Sequence, residues 1–337
     1  MALRQRHGQS GLAACCRSCN KDRLWGTRHV ITSHQVAPFM SHVLVLTANP
    51  ALPVLSQELA GAVRAAAGDG EPLWLGEGIA CEIPLAAPSN GNDLHLVVER
   101  ARAALGQAPV DCNAVSLTGR RKRLLVADMD STMIEQECID EIGDLLGIRD
   151  KIARITEFAM RGEWSFEVAL RQRVELLKGV SRRQLQDLAE TRITVMAGAK
   201  VLVSTMRANG AYCALVSGGF TLFTDKIAGQ IGFDETHANT LLFDGERLSG
   251  DVAEPLVGPA AKRQTLIRLR EERGLWVEET MAVGDGANDI MMLKAAGLGI
   301  AYRAKPKVQA IAGARIDHGD LTALLYLQGY RLDEFAR

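Results

Sequence analysis

The stretch Val126-Ala127-Asp128-Met129-Asp130-Ser131-Thr132 sets two aspartates one residue apart at the end of an apolar run that begins near Arg123. A short apolar run of this kind reads as a buried strand. Side chains at i and i+2 of a strand share a face, so these two carboxylates crowd one spot. Such a pair is unfavourable unless a cation lies between them or one carboxyl keeps its proton. Aspartates after strands also serve simply as caps of the next helix, so the rest of the chain has to decide.

Downstream of the pair, about Glu135 to Arg192 reads as wholly helical, with Ile139, Ile142, Leu145 and Leu146 on one stripe and Phe166, Leu170, Val174 and Leu177 on another. After Ala197 helix and strand alternate, with strands near Tyr212 to Val216, Thr280 to Val283 and Leu298 to Ala301. This alternation predicts an α/β fold, a Rossmann-like parallel sheet covered by helices on both faces. Phe243-Asp244-Gly245-Glu246 reads as a hairpin turn from its Asp-Gly step. Upstream, the pattern is strand (Val43 to Thr47), helix (Leu52 to Ala67), strands at Leu73 to Leu75 and Ile79 to Ile83, helix (Asp93 to Leu105) and strand (Val110 to Leu117). That βαββαβ order is the ferredoxin-like α+β plan, and it ends near the basic link Gly119-Arg120-Arg121-Lys122. The expected organisation is a small domain at 41–118 and a larger one at 122–330, with a helical insert at about 135–192.

The 337 residues fit about two domains. Hydrophobic residues make up 47% and charged residues 23%, an ordinary globular balance. A net charge of −1 and a pI of about 6.7 leave no global basic field, which argues against nucleic acid as partner. No apolar run reaches the roughly 18 residues of a membrane span, so no membrane is expected. Residues 1–40 carry Arg4, Arg6, Arg17, Lys21, Arg23 and Arg28 against the single acid Asp22, without apolar periodicity, and read as a leader or an unstructured extension. Seven cysteines, Cys15, Cys16 and Cys19 clustered and Cys81, Cys112, Cys138 and Cys213 apart, form no disulfide framework. They suit a reducing, cytoplasmic setting.

In an open parallel sheet ligands bind beyond the carboxyl ends of the strands. Three strand ends carry polar or glycine clusters: Asp128 to Thr132, Ser217-Gly218-Gly219-Phe220, and Gly284-Asp285-Gly286-Ala287-Asn288-Asp289. Three or four carboxylates converging on one sheet edge repel when empty, and hard oxygen ligands in that number suit Mg²⁺ shared with a substrate phosphate. Glycines at Ser217-Gly218-Gly219 let backbone N–H groups close around an anion between strand and helix. Lys262, just after Pro259, falls near a helix start, where a bound phosphate would favour it. Taken alone it reads as a solvated surface lysine.

Together these residues resemble the haloacid-dehalogenase-like phosphatases. That family carries D-x-D-x-T after its first core strand (Asp128 to Thr132), a Ser or Thr after the second (Ser217), and a lysine ahead of an acidic motif (Lys262, then Asp285 to Asp289). Within it the match is nearest the phosphoserine phosphatase branch, whose D-x-D-S-T, following glutamate, S-G-G-F and G-D-G-x-N-D all stand between about Leu124 and Leu325. The βαββαβ segment looks like the ACT-related domain some members carry, without a clear glycine at Ala48-Asn49-Pro50-Ala51. The resemblance implies an enzyme that hydrolyses O-phosphoserine to serine, the last step of serine biosynthesis, with Mg²⁺ as cofactor and a homodimer as a compatible assembly. It implies Asp128 as nucleophile and Asp130 as acid and base. It assigns the metal to Asp128, the Asp130 carbonyl and Asp285, the phosphate to Ser217, Gly218 and Lys262, the phosphate or water to Asn288, and support of the site to Asp289. In the cap it implies Glu137 for the substrate ammonium, Arg173 for its carboxylate and Phe166 as an apolar wall. Without the family, Glu137 and Arg173 read as ordinary helix-surface residues.

Overall fold

The computed structural model describes residues 40–86 and 91–336. The expected leader therefore lies outside the described residues, except that Met40 already belongs to a strand, three residues ahead of the expected start at Val43. The first elements are β1 (Met40–Ala48), α1 (Gln57–Ala67), β2 (Leu73–Gly76), β3 (Ala80–Ala86), α2 (Gly91–Leu105) and β4 (Val110–Ser116). They form an antiparallel sheet in the order β2-β3-β1-β4, the ferredoxin-like arrangement. Alternation along β1 divides its side chains between two cores. Leu44 and Leu46 pack under α1 and α2, while Val43 and Val45 face the rest of the molecule. The first helix begins at Gln57 and not at the expected Leu52, because the Ser56 hydroxyl accepts the Leu59 amide at 3.2 Å and caps it there.

The chain continues through β5 (Leu124–Ala127) into four helices, α3 (Cys138–Leu145), α4 (Arg149–Met160), α5 (Phe166–Glu175) and α6 (Arg182–Thr191). It then alternates: α7 (Ala199–Ala208), β6 (Tyr212–Phe220), α8 (Thr221–Ile231), β7 (Glu235–Asn239), a hairpin of β8 (Leu241–Asp244) and β9 (Arg247–Val252), α9 (Pro259–Glu272), β10 (Thr280–Gly284), α10 (Ile290–Ala295), β11 (Leu298–Tyr302), α11 (Pro306–Gln309), β12 (Ala314–Ile316) and α12 (Ala323–Leu327). Six strands pair in parallel in the order β7-β6-β5-β10-β11-β12. Strand order reverses between β5 and β10, the switch point where a doubly wound sheet opens a crevice. All four residues of β5 are buried, as a strand covered on both faces requires. Leu124, Val126, Ala214, Val216 and Ala282 pack on one face with Leu266 and Leu269 of α9, and Leu125, Ala127, Leu215 and Val283 pack on the other. Each such leucine or valine contributes about 1.5–3 kcal/mol by leaving water.

The helical insert leaves and rejoins the sheet at one place. Ile134 and Val195 form an antiparallel bridge, flanked by Glu135 N–H to Thr194 O at 3.0 Å and Met196 N–H to Met133 O at 2.9 Å. The β8–β9 hairpin, with its turn at Gly245, reaches up to the loop before α6 through Gly179 N–H to Leu248 O and Leu248 N–H to Val180 O.

The two sheets meet along β4 and β12. The Asn113 amide accepts from Arg315 N–H and donates to Arg315 O, both at 2.8 Å. The buried Asp111 carboxylate accepts from the amides of Asp317, His318 and Gly319 at 2.7–3.2 Å. Val43, Val45, Leu75 and Val115 belong to the same apolar cluster as Leu125, Tyr326 and Leu327, so one core runs beneath both sheets.

Candidate active site

A cavity of about 460 Å³ opens at the switch point, between the carboxyl ends of the parallel strands and the helical insert. Asp128, Asp130, Glu137, Phe166, Arg173, Gly218, Asp285 and Asn288 line it. Ser217, Lys262 and Asp289 lie fully buried beneath these residues and bond to the groups that form its floor.

Asp128 directly follows β5, and its amide donates to Val283 O of β10 at 3.0 Å, which fixes its backbone. Its Oδ1 accepts from Met129 N–H at 2.7 Å and meets the Lys262 ammonium at 2.6 Å. The second oxygen, Oδ2, accepts from the Asn288 amide at 3.4 Å. Lys262, a surface lysine when read alone and a phosphate contact by resemblance, is a buried ion, reaching Asp289 Oδ1 at 2.7 Å as well. Burial alone would lower its pKa, but the Asp128 and Asp289 carboxylates more than offset that and raise it well above its ordinary value. Asp289 is held in turn by Gly286 N–H at 3.0 Å, and a Cβ on Gly284 would fall 2.4 Å from its carboxyl carbon. Only glycine fits there.

Asp130 is fixed from two sides. Its Oδ1 accepts from Cys138 N–H at 2.9 Å, at the first turn of α3, and its Oδ2 from the Ser217 hydroxyl at 3.3 Å. Burial, then the Asp128 charge, push its pKa up, the direction an acid catalyst needs. Asp285 is raised to about 6 by burial and by Asp128, and its Oδ1 accepts from the Thr132 hydroxyl at 3.4 Å. The Ser217-Gly218-Gly219 run is not the expected turn between strand and helix. It is the extended end of β6, with irregular pairing to β7 between Val216 and Phe220, and α8 starts only at Thr221. A Cβ on Gly219 would sit 2.9 Å from Asp130 Oδ2, so this glycine lets the strand pass close to the acid.

Above the floor, Phe166 opens α5 and lies against Gly218 and Gly258. Glu137 immediately precedes α3; its Oε1 accepts from the Ser131 hydroxyl at 2.8 Å, and Ser131 adopts the left-handed region at φ 53°. The Glu137 side chain opens onto the cavity, yet desolvation there and the Asp130 charge push its carboxyl up to about 8. Arg173 donates to Ala169 O at 3.3 Å and to the Thr156 hydroxyl at 3.4 Å, with burial lowering its pKa.

Asp128, Asp285 and Asp289 each offer an oxygen within 4.8 Å of the other two. An all-oxygen, buried set of this charge suits a hard divalent cation. With Lys262 occupying the side toward Asp289, Asp128 Oδ2 and Asp285 are the carboxylates left facing the cavity.

Lys305, Asp140 and Thr156 also line the cavity and escaped the sequence reading. Lys305 follows β11 in Ala304-Lys305-Pro306, its amide donating to Asp285 O at 3.3 Å. The signal was present, since this is a fourth strand end carrying a charge. Asp140 and Thr156 had none, being polar residues of amphipathic helices.

A model of the haloacid dehalogenase-like hydrolase family matches residues 125–294. The chain is 45% identical over 224 residues to a probable phosphoserine phosphatase of Schizosaccharomyces pombe, covering 65% of this chain and 75% of that protein. It is 44% identical to a phosphoserine phosphatase of Vibrio cholerae, over 56% of this chain and only 57% of the relative. The crystal structure of a probable phosphoserine phosphatase from Vibrio cholerae, in unliganded form, superposes with a TM-score of 0.71 at 31% identity. That superposition covers 89% of this chain and 90% of that one.

Proposed function

This chain belongs to the haloacid dehalogenase-like hydrolase family, and from that premise we propose that it is a Mg²⁺-dependent phosphatase that hydrolyses O-phospho-L-serine to L-serine and inorganic phosphate. The observation that carries the reading is one cavity in which a carboxylate pair on the floor faces a glutamate and an arginine on the walls. A phosphate accompanied by a divalent cation fits the first, and the ammonium and carboxylate of an amino acid fit the second.

Asp128 is the nucleophile. With Oδ1 held by Met129 N–H and Lys262, Oδ2 attacks phosphorus, the ester P–O bond breaks, and an aspartyl phosphate forms. Asp130, whose pKa is pushed up by burial and by the Asp128 charge, gives its proton to the departing serine oxygen. It then takes a proton from water, whose oxygen attacks phosphorus and frees Asp128 and phosphate. Asp128, the main-chain carbonyl of Asp130 and Asp285 would hold Mg²⁺, which supplies charge neutralisation for the phosphate. Ser217, the Gly218 amide, Lys262 and Asn288 contact phosphate oxygens, and Asp289 holds Lys262 in place. Glu137 receives the substrate ammonium, Arg173 its carboxylate, and Phe166 closes the apolar side.

The same reading assigns chemistry to residues 122–330, with the cap at about 135–192, and leaves 41–118 as an ACT-like companion. Among the described residues no helix is long and apolar enough to cross a membrane. A cytoplasmic homodimer without nucleic-acid partners completes the proposal, and sedimentation tests the assembly.

The direct test is release of inorganic phosphate from O-phospho-L-serine, measured beside a panel of small phosphomonoesters. Chelation should abolish release and added Mg²⁺ should restore it. Preference for another phosphomonoester would redirect the assignment, and release that ignores chelation would remove the metal from it.

A further inference from the structure

Arg173 is half-buried on α5, and no carboxylate among the described residues forms an ion pair with it. Its guanidinium has five N–H groups. Nε donates to Ala169 O on its own helix, and one hydrogen of Nη1 points to Thr156 Oγ1 on α4. Both bonds are long, at 3.3 and 3.4 Å, and the other three N–H groups have no acceptor among the described residues. Asp140 lines the same cavity without closing on the arginine. A desolvated guanidinium so sparsely partnered needs an acceptor that the ligand brings, and its planar fork matches a carboxylate.

Among the described residues, Thr156 is the one side chain that hydrogen-bonds this fork. Its hydroxyl donates backward to Ile152 O at 3.1 Å, four residues earlier on α4. That bond spends the hydroxyl hydrogen and pins χ1, leaving the oxygen lone pairs directed at Arg173. We propose that Thr156 is a positioning residue, fixing the rotation of the Arg173 guanidinium so that its unpaired edge faces the cavity and receives the substrate carboxylate. This rests on the reading of Arg173 given above. Pre-set orientation lowers the cost of ordering a long side chain when the ligand arrives. Loss of the hydroxyl should therefore weaken binding of carboxylate-bearing substrates and leave the phosphoryl chemistry intact.

The test compares the full chain with Thr156→Val, Thr156→Ser and Arg173→Ala, in Mg²⁺, on O-phosphoserine and on p-nitrophenyl phosphate, which lacks a carboxylate. Thr156→Val should raise KM for O-phosphoserine about fivefold, the effect of one modest hydrogen bond, with kcat and both p-nitrophenyl phosphate constants within about twofold. Thr156→Ser, which keeps the hydroxyl, should restore the parent KM. Arg173→Ala should show a larger rise, again for O-phosphoserine alone. An unchanged KM in Thr156→Val beside a selective loss in Arg173→Ala would overturn the positioning role. Equal losses on both substrates in Thr156→Val, unrescued by serine, would reduce Thr156 to helix packing. If Arg173→Ala itself affected both substrates alike, the carboxylate reading would fall first, and that arm alone reports it.

Discussion

Lys262 shows how a single side chain can be misread from its own neighbourhood. Pro259 correctly marks the start of α9, but nothing near Lys262 in sequence announces a buried ion. Its partners, Asp128 and Asp289, come from two other strand ends, and only the sheet order brings them together. Lys262→Met should leave both carboxylates buried without a counter-charge and lower unfolding free energy by about 3 kcal/mol. Urea denaturation at neutral pH measures it, and an unchanged midpoint would contradict the ion pair. Asp128→Asn keeps the shape and removes the attacking charge, so turnover of O-phosphoserine should fall by at least about a thousandfold. Near-normal turnover would exclude Asp128 as nucleophile. By contrast, the crowding of Asp128 and Asp130 is legible directly, because two carboxylates at strand spacing demand a cation or a proton.

In the parallel sheet, strands covered on both faces are readable as apolar runs, and its edge strands are not. β7, Glu235-Thr236-His237-Ala238-Asn239, is almost wholly polar and half-exposed, and β12 is three residues long. An edge strand needs no apolar alternation, so periodicity carries no signal for it. Polar contacts hold β7 instead. Glu235 accepts from Tyr212 OH at 2.9 Å and bonds His237 and Arg268, tying the edge to α9. Burial raises the Glu235 carboxyl, but the bonds from His237, Arg268 and Tyr212 outweigh it and hold it at about 2. A carboxyl depressed in the folded state stabilises fully above its unfolded value of about 4.5 and loses that contribution as pH falls toward 2. Glu235→Gln should therefore melt below the parent at pH 6, by no more than about 1 kcal/mol given the exposure of the network, and the gap should close by pH 2–3. A gap that persists in acid would assign the difference to packing.

For the molecule as a whole, the parallel sheet, the ferredoxin-like sheet and the convergence of three strand ends follow from pattern, whereas the seam between the sheets does not. Asp111 and Asn113 read as ordinary polar positions of a strand, and their amide partners lie about two hundred residues away in sequence. Similarly, Glu137 and Arg173 were named through family resemblance, since helix periodicity gives a polar residue no role. Asp111→Ala should strand three backbone N–H donors and cost at least about 3 kcal/mol. Because one core underlies both sheets, tryptophan fluorescence and far-UV circular dichroism should report one shared urea transition for residues 40–336 in the parent. Two separated transitions would mean the sheets unfold independently. The bridge between Ile134 and Val195 bears on how such a protein can change over generations. Everything between these two residues departs and returns through a single doorway, so the order of the parallel strands is indifferent to what the doorway encloses. Substitutions or insertions beyond the start of α3, whose Cys138 N–H holds Asp130, alter which alcohol the phosphate arrives on and leave the carboxylates at the strand ends where they are.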